Sequence, residues 1–205
     1  MGRELLVDVL AAARHAPSTR NTQMWRVEVL TGGARRSLAD RLLADFENGV
    51  PTRHDYVNRP SEMEPVFEER ARAAGTGVLL AKGIARDDAA GRNGHLRDNF
   101  DFYGAPVALI VHLPGNAQAG TFLETGMFVQ NVMLGLVARG LASCPQYSVT
   151  GYSDTIRRVL GLADDRLIVC GLSVGYPQPD APVNRFVPER APVDGFATWH
   201  GWESR

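Results

Sequence analysis

A short polar segment near the start of the chain carries the side chains best suited to hold a small molecule. Hydroxyl, guanidinium and carboxamide groups fall within six positions, on Ser18, Thr19, Arg20, Asn21 and Gln23. Such donors and acceptors suit the polar edge of a planar heteroaromatic ring. Trp25 follows closely and begins an apolar strand pattern. We call residues 18–23 the polar loop; the alternative is that it only connects a helix to a strand.

A second motif, G-x-S-x-G over residues 171–175, matches the nucleophile elbow of serine hydrolases. That elbow needs a strand before the serine and a helix directly after it. Tyr176, Pro177 and Pro179 follow instead, so no helix can present Ser173. A strand that ends in a turn explains the motif better, and we reject a hydrolase.

Three other patterns have structural explanations. Gly75-Thr76-Gly77 lacks the third glycine and the preceding strand of a dinucleotide-binding fingerprint, so no Rossmann domain is expected. Asp87 and Asp88 suit the start of a helix, because acids there complement the helix dipole. The five histidines and two cysteines show no metal-site spacing, and we expect no bound metal.

The spacing of apolar residues predicts the elements that position the polar loop. Helical spacing predicts an amphipathic first helix that Pro17 ends, because the residue before a proline is pushed out of the helical region. Alternation predicts a strand over 25–31, and Gly32-Gly33 then lead into a second helix. Further helices are expected near 67–81, 87–99 and 153–160, and strands near 105–113, 141–147 and 167–174. The order is mixed α+β.

The strongest helical signal covers Thr121 to Arg139, which is apolar on nearly every side. That pattern predicts burial all round, and because one small domain rarely offers so much cover, it favours a subunit interface. The tail after Pro177 is rich in proline and in aromatic residues that need a surface to pack against, namely Phe186, Phe196, Trp199 and Trp202. An extended arm across a partner subunit would provide that surface.

The overall composition is that of a soluble globular protein, with 44% apolar and 22% charged residues among 205. With a formal charge of −1, the protein has no net positive charge to attract nucleic acid or an anionic membrane. Cys144 and Cys170 lie in apolar stretches and are expected to be buried reduced thiols, a disulfide or redox pair being the alternative. Glu4 and Asp8 interrupt the first apolar region, so no signal peptide is expected and the protein is predicted to be cytoplasmic.

The polar loop resembles the hallmark of the nitroreductase family, in which a helix ends in A-P-S-S and x-N-x-Q-P-W leads into the first strand. The sequence here is Ala16-Pro17-Ser18-Thr19-Arg20-Asn21-Thr22-Gln23-Met24-Trp25. Further matches follow in the family's order over nearly the whole chain, at Gly104-Ala105-Pro106, Gln130-Asn131, Arg139-Gly140-Leu141, Ser143-Cys144-Pro145-Gln146, Val159-Leu160-Gly161-Leu162, Gly175-Tyr176-Pro177 and Arg190-Ala191-Pro192. The long helix near 62–84 looks most like members that act on nitroaromatic acids.

The resemblance implies an α+β fold with a central, mostly antiparallel sheet flanked by helices, in an intertwined homodimer with two FMN sites at the subunit interface. It implies one domain over residues 1–205. Within that domain, residues 47–103 would form a helical excursion near the pocket. Residues 177–205 would form a C-terminal arm over the partner subunit.

The resemblance also assigns cofactor contacts, residue by residue, to the polar loop. Ser18, Thr19 and Asn21 would bind the ring and the ribityl edge of FMN, with Gln23 in the same set. Arg20 would face the open side of the flavin, where it is expected to favour acceptors that carry a carboxylate.

A second set of contacts is implied near the other end of the chain. The backbone around Pro145, Gln146 and Tyr147 would place an N–H against flavin N5. Arg190 would pair with the FMN phosphate, since a guanidinium suits bidentate phosphate recognition.

The implied function is an FMN-dependent oxidoreductase that passes hydride from NADH or NADPH through bound flavin to an electron-poor acceptor such as a nitroaromatic or quinone, in ping-pong order. No catalytic side chain is expected, because the cofactor supplies the chemistry. Two alternatives stay open: a flavin-dependent oxidase or dehydrogenase of a small metabolite, and a non-catalytic relative that binds flavin or another ligand. The missing match to the family's R-R-S-x-R stretch ahead of Glu4 supports the second alternative, whereas the Ser18–Trp25 segment and the segment at Pro145 argue against it.

Overall fold

The structure, a computed structural model, describes residues 1–201 and contains two compact units. The first unit is formed by residues 1–60 and 92–177, and the second by residues 61–91 with the described part of 178–205. The helices are α1 (Arg3–Ala13), α2 (Gly32–Glu47), α3 (Pro65–Ala81), α4 (Ala89–Phe100), α5 (Ala119–Val137), α6 (Ser153–Leu160) and α7 (Pro182–Arg185). The strands are β1 (Arg26–Thr31), β2 (Val107–Leu113), β3 (Ala142–Gln146) and β4 (Leu167–Gly175).

The four strands form one antiparallel sheet in the order β1-β2-β4-β3. This confirms the predicted α+β class and the antiparallel sheet. β2 is buried at every position, in keeping with a sequence that is apolar apart from His112 and with a strand covered on both faces. β3 lies at one edge, where alternate main-chain groups have no pairing strand among residues 1–201.

Two hydrophobic cores cover the two faces of the sheet. On one face, Leu109 and Val111 of β2 pack with Val9 of α1 and with Phe128 and Leu136 of α5. The residues between them on β2 point the other way because strand side chains alternate. They pack against α2 and α6, through side chains that include Ala108, Ile110, Leu38, Leu42 and Ile156.

Helix α5 differs from its prediction in one respect. Phe128, Val132 and Leu136 are buried, but Leu123, Leu134 and Val137 remain 69%, 58% and 65% exposed within one chain. The prediction that α5 is buried on every side was therefore wrong for the isolated chain, because the sheet and α1 cover only part of the helix surface.

In the second unit, α3 packs against α7. Gly77 permits a close approach there, since a Cβ at this position would lie 2.1 Å from the ring of Phe186. Phe196 and Trp199 are exposed, at 74% and 60%. Trp202, the fourth aromatic residue of the predicted arm, lies outside the described residues.

Two motifs given structural explanations, at Ser173 and Asp88, behave as expected, whereas one of the two cysteines does not. Ser173 lies within β4 and is buried, so it is not presented on an elbow. Asp88 caps α4, because its Oδ1 accepts the main-chain N–H of Gly91 at 2.8 Å. The buried-thiol prediction was wrong for Cys144, which is exposed on edge strand β3; Cys170 is half-buried, and both thiols are free.

Among residues 1–201, no helix has the length and apolar character needed to cross a membrane. Within the same range, no group of three or more His, Cys, Asp and Glu side chains is arranged to hold a metal ion.

Candidate functional site

The polar loop has an unusual main-chain conformation. It follows α1, makes one turn of 3₁₀ helix at Thr19–Asn21 and leads into β1. Arg20, Asn21 and Gln23 have φ values of 52°, 59° and 46°, in the left-handed region that side chains other than glycine rarely adopt. Each such residue costs about 1–3 kcal/mol and persists only where its surroundings enforce it, typically at binding sites.

Hydrogen bonds within the loop enforce part of this conformation. The N–H of Gln23 donates to Ser18 Oγ at 3.1 Å, and Gln23 Nε2 donates to Asn21 O at 3.1 Å and Asn21 Oδ1 at 2.8 Å. Because Asn21 Oδ1 is the acceptor, the amide nitrogen of Asn21 is the end that can donate to a ligand.

Helix α5 holds the loop from outside. The carboxylate of Glu124 accepts the main-chain N–H of Thr19 at 2.7 Å. Glu124 is buried, and the hydrogen bonds from Thr19 hold the pKa of its carboxyl below the ordinary value, so it is ionised at neutral pH. Just beyond the loop, the ring of Trp25 stacks on Phe128 with a centroid separation of 5.0 Å and an interplanar angle of 14°.

A cavity of about 530 Å³ lies beside this turn and the residues that precede it. It is lined by Arg14, His15, Ala16, Pro17, Ser18, Asn21 and Gln23. Its volume is in the usual range for small-molecule sites. Three of the loop residues predicted to bind a cofactor thus face one cavity, while Thr19 and Arg20 are exposed on the same loop.

The second predicted group lies at the end of β3. Pro145 occupies the edge strand, which is where a sheet tolerates a residue without an N–H. Gln146 is 2% exposed; its Oε1 accepts from Ser173 Oγ, and its Nε2 donates to Asn99 O at 2.6 Å. The Gln146 side chain is therefore committed to the interior, and this residue can meet a ligand only through its main chain.

Tyr147 is fixed by its side chain. Its hydroxyl donates to Tyr56 O at 2.6 Å, and its ring stacks on His54 at 4.3 Å with an interplanar angle of 7°. Burial raises the pKa of Tyr147 above its ordinary value, so the phenol stays protonated and keeps donating.

Two residues beside this segment were not predicted from the sequence. Asn99 Oδ1 accepts from Tyr103 Oη at 2.7 Å and from Ser148 Oγ at 2.9 Å. Asn99 therefore also holds the chain at Ser148, two residues after Gln146. Tyr103 and its neighbour Phe102 have φ values of 55° and 51°. No sequence signal marks two aromatic residues as left-handed; only the adjacent Gly104 indicates a turn.

The predicted residues thus lie in two groups, with Arg190 as a third, separate position. The polar loop is one, tied to α5, and residues 145–147 are another, tied to Asn99 and Tyr56. Arg190 belongs to the second unit, where its exposed side chain donates to Pro188 O at 3.1 Å.

Comparisons with known proteins agree on one relationship. The profile of the nitroreductase family matches residues 1–176. A 4-nitrobenzoate reductase of Pseudomonas putida is 34% identical over 203 residues, covering 99% of this chain and 88% of the relative.

Two solved structures are similar at 34% identity and cover 98% of this chain. One is an FMN- and NADPH-dependent nitroreductase, NfnB, from sphigopyxis sp. strain HMH, with a TM-score of 0.94 and 91% of that chain covered. The other is the FMN-dependent nitroreductase NfnB from Mycobacterium smegmatis in complex with NADPH, with a TM-score of 0.92 and 89% covered. With the family profile spanning most of its length and these structures sharing its fold, the chain belongs to the nitroreductase family.

Proposed function

We propose that this protein is an FMN-dependent oxidoreductase that uses NADPH to reduce nitroaromatic compounds, nitrobenzoates among them. The observation that carries the proposal is the polar loop: it has three left-handed residues other than glycine, two of which, Asn21 and Gln23, line a cavity, and a buried carboxylate bonds its main chain at Thr19. The solved relatives named above use FMN and NADPH, and the Pseudomonas putida relative reduces 4-nitrobenzoate.

The loop residues fit an FMN. Ser18 and Thr19 supply hydroxyls, and Asn21 presents its amide nitrogen, which together suit the ring edge and the ribityl hydroxyls. Gln23 fixes the orientation of Asn21 in addition to lining the cavity. A bound flavin would supply reversible hydride transfer, which no side chain can provide.

The end of β3 would meet the reactive side of the ring. We assign this to the main chain of residues 145–147, because the edge position leaves alternate main-chain groups without a strand partner. Gln146 and Tyr147 are anchored through their side chains, so the segment is fixed before any ligand binds.

Two arginines would bind anionic groups. Arg20 is exposed on the loop and would attract the carboxylate of an acceptor. Arg190 would pair with the FMN phosphate, since its guanidinium donates to the main-chain oxygens of Pro188 and Glu189 at 3.1 and 3.4 Å, contacts that a phosphate can replace.

We further propose that the protein works as an intertwined cytoplasmic homodimer, as one domain with residues 177–205 reaching over the partner. The exposed apolar residues Leu123, Leu134 and Val137 of α5 support a partner surface. An exposed free thiol at Cys144 is in keeping with a reducing compartment. Light scattering should give twice the chain mass, and Leu134→Glu should give a monomer; a monomeric wild type would end this part of the proposal.

The visible absorption spectrum of the purified protein tests the function. We expect a flavin spectrum with one FMN per chain, and NADPH consumption that depends on added 4-nitrobenzoate. A colourless protein that cannot be reconstituted with FMN would contradict the proposal and favour a ligand-binding relative without turnover.

A further inference from the structure

We propose that Glu124 is a positioning residue that holds the polar loop in its binding conformation, by accepting the N–H of Thr19. The proposal rests on the proposed function, because it takes the loop to be a flavin site. Glu124 bonds the main-chain N–H of Thr19 and is not proposed to contact the ligand itself. Its effect on the cofactor is therefore indirect.

Both ends of the loop are tied to one face of α5. Glu124 bonds Thr19 at the start, and Phe128 stacks on Trp25 just after the end. Positions 124 and 128 are four residues apart, so they lie one turn above each other on the same side of the helix. The helix is itself packed between α1 and β3, which makes it a rigid support.

The other bonds of the loop are short-range and cannot fix its place on the protein. Asn21 N donates to Ser18 O at 2.9 Å, and Thr22 N donates to Thr19 O at 3.2 Å. Such bonds hold the shape of the turn, but they would stay intact if the whole turn moved relative to the rest of the protein. The Glu124 bond spans 105 positions and fixes the turn relative to the sheet.

A carboxylate suits this task better than a neutral acceptor. Glu124 is 8% exposed and carries a charge, which is costly to bury unless a strong donor satisfies it. The main-chain N–H at 2.7 Å is that donor, and a charge-assisted bond of this kind is about twice as strong as a neutral one. An ionised group here therefore opposes opening of the loop.

FMN affinity in three variants tests the proposal. Glu124→Ala should weaken FMN binding about tenfold or more, as measured by quenching of flavin fluorescence on titration into FMN-free protein. Glu124→Gln keeps a weaker, neutral acceptor for Thr19 and should lose clearly less FMN affinity than Glu124→Ala. The matched control is Asp45→Ala, which removes a bond of 2.6 Å to Thr155 between α2 and α6, away from the loop, and should leave affinity unchanged.

Hydrogen exchange of the FMN-free protein gives a readout that needs no cofactor. The amides of residues 18–24 should exchange faster in Glu124→Ala than in wild type, while those of the sheet should not change. Equal FMN affinity in Glu124→Ala and wild type, equal losses in Glu124→Ala and Glu124→Gln, or the same loss in Asp45→Ala would each overturn the proposal. A wild-type protein that binds no FMN would contradict the proposed function. The positioning role is tested separately: unchanged exchange of the loop amides in Glu124→Ala would overturn it.

Discussion

Arg166 donates its Nε–H to Nδ1 of His112 across 2.9 Å, which places the single proton of the neutral imidazole on Nε2. That nitrogen faces Oε1 of Glu28 at 3.1 Å. His112 is 4% exposed and sits at a bulge between β2 and β4. The pair thus links the sheet to the turn before β4 only while His112 is uncharged.

This relationship predicts a loss of stability in acid. Burial lowers the pKa of His112 below 6.5, with Arg166 and Arg26 acting in the same direction and Glu28 opposing them. Because the folded pKa is the lower one, the unfolded chain binds the proton more readily, and stability is full above about pH 6.5 and falls as pH drops below it. Urea unfolding of His112→Gln should show a weaker change between pH 8 and pH 5 than wild type. An identical pH dependence would contradict this.

A buried ion pair predicts a large effect on stability. Arg157 bonds Asp55 at 2.7 and 3.2 Å, and their side chains are only 11% and 12% exposed. Arg157→Ala should lower the free energy of unfolding by about 3–5 kcal/mol, because Asp55 is left as a buried charge without its cation. The matched control is Arg72→Ala, which breaks an exposed pair with Glu69 and should cost less than about 0.5 kcal/mol. Similar losses in both variants, measured by urea unfolding, would refute the distinction.

The buried bond between Ser173 and Gln146 predicts a smaller loss with a coupling. Ser173→Ala leaves Gln146 Oε1 without its donor and should cost about 1–3 kcal/mol. Gln146→Leu removes the partner, so adding Ser173→Ala to it should cost clearly less than Ser173→Ala alone. A double-mutant cycle of unfolding free energies measures this. Strict additivity would mean that the two residues do not interact in solution.

Helices and strands could be predicted because their signals are local. The alternation around Val27 and the nearly continuous apolar run at 105–113 both predict strands, and strands lie at both places. Pro17 and Gly140 mark helix ends through their own backbone preferences. The polar loop was found in the same way, from residue types that cluster within six positions.

The remainder depends on contacts between distant positions. Glu124 reads as one acid in an apolar helix, and its partner Thr19 lies 105 positions away. Arg20 and Tyr103 have left-handed backbone conformations although neither is a glycine, so their residue types do not predict these conformations. Cys144 was expected to be buried because its neighbours are apolar, but being on an edge strand depends on the order of strands in the sheet.

Arg20 predicts selectivity among acceptors. Arg20→Ala should raise the KM for 4-nitrobenzoate about fivefold, the effect expected of one exposed charge pair, and leave the KM for neutral nitrobenzene unchanged. Arg36→Ala, which removes an exposed charge on α2, is the matched control and should change neither value. Equal effects of Arg20→Ala on both acceptors would exclude a role in carboxylate recognition.

Anaerobic stopped-flow spectroscopy of the flavin-loaded protein tests whether the bound flavin carries electrons from NADPH to a nitroaromatic acceptor. We expect NADPH to bleach the flavin absorption and 4-nitrobenzoate, added in a second mix without oxygen, to restore it while being reduced. A flavin that NADPH does not bleach, or that only oxygen can restore, would contradict a nitroreductase and favour an oxidase of another metabolite.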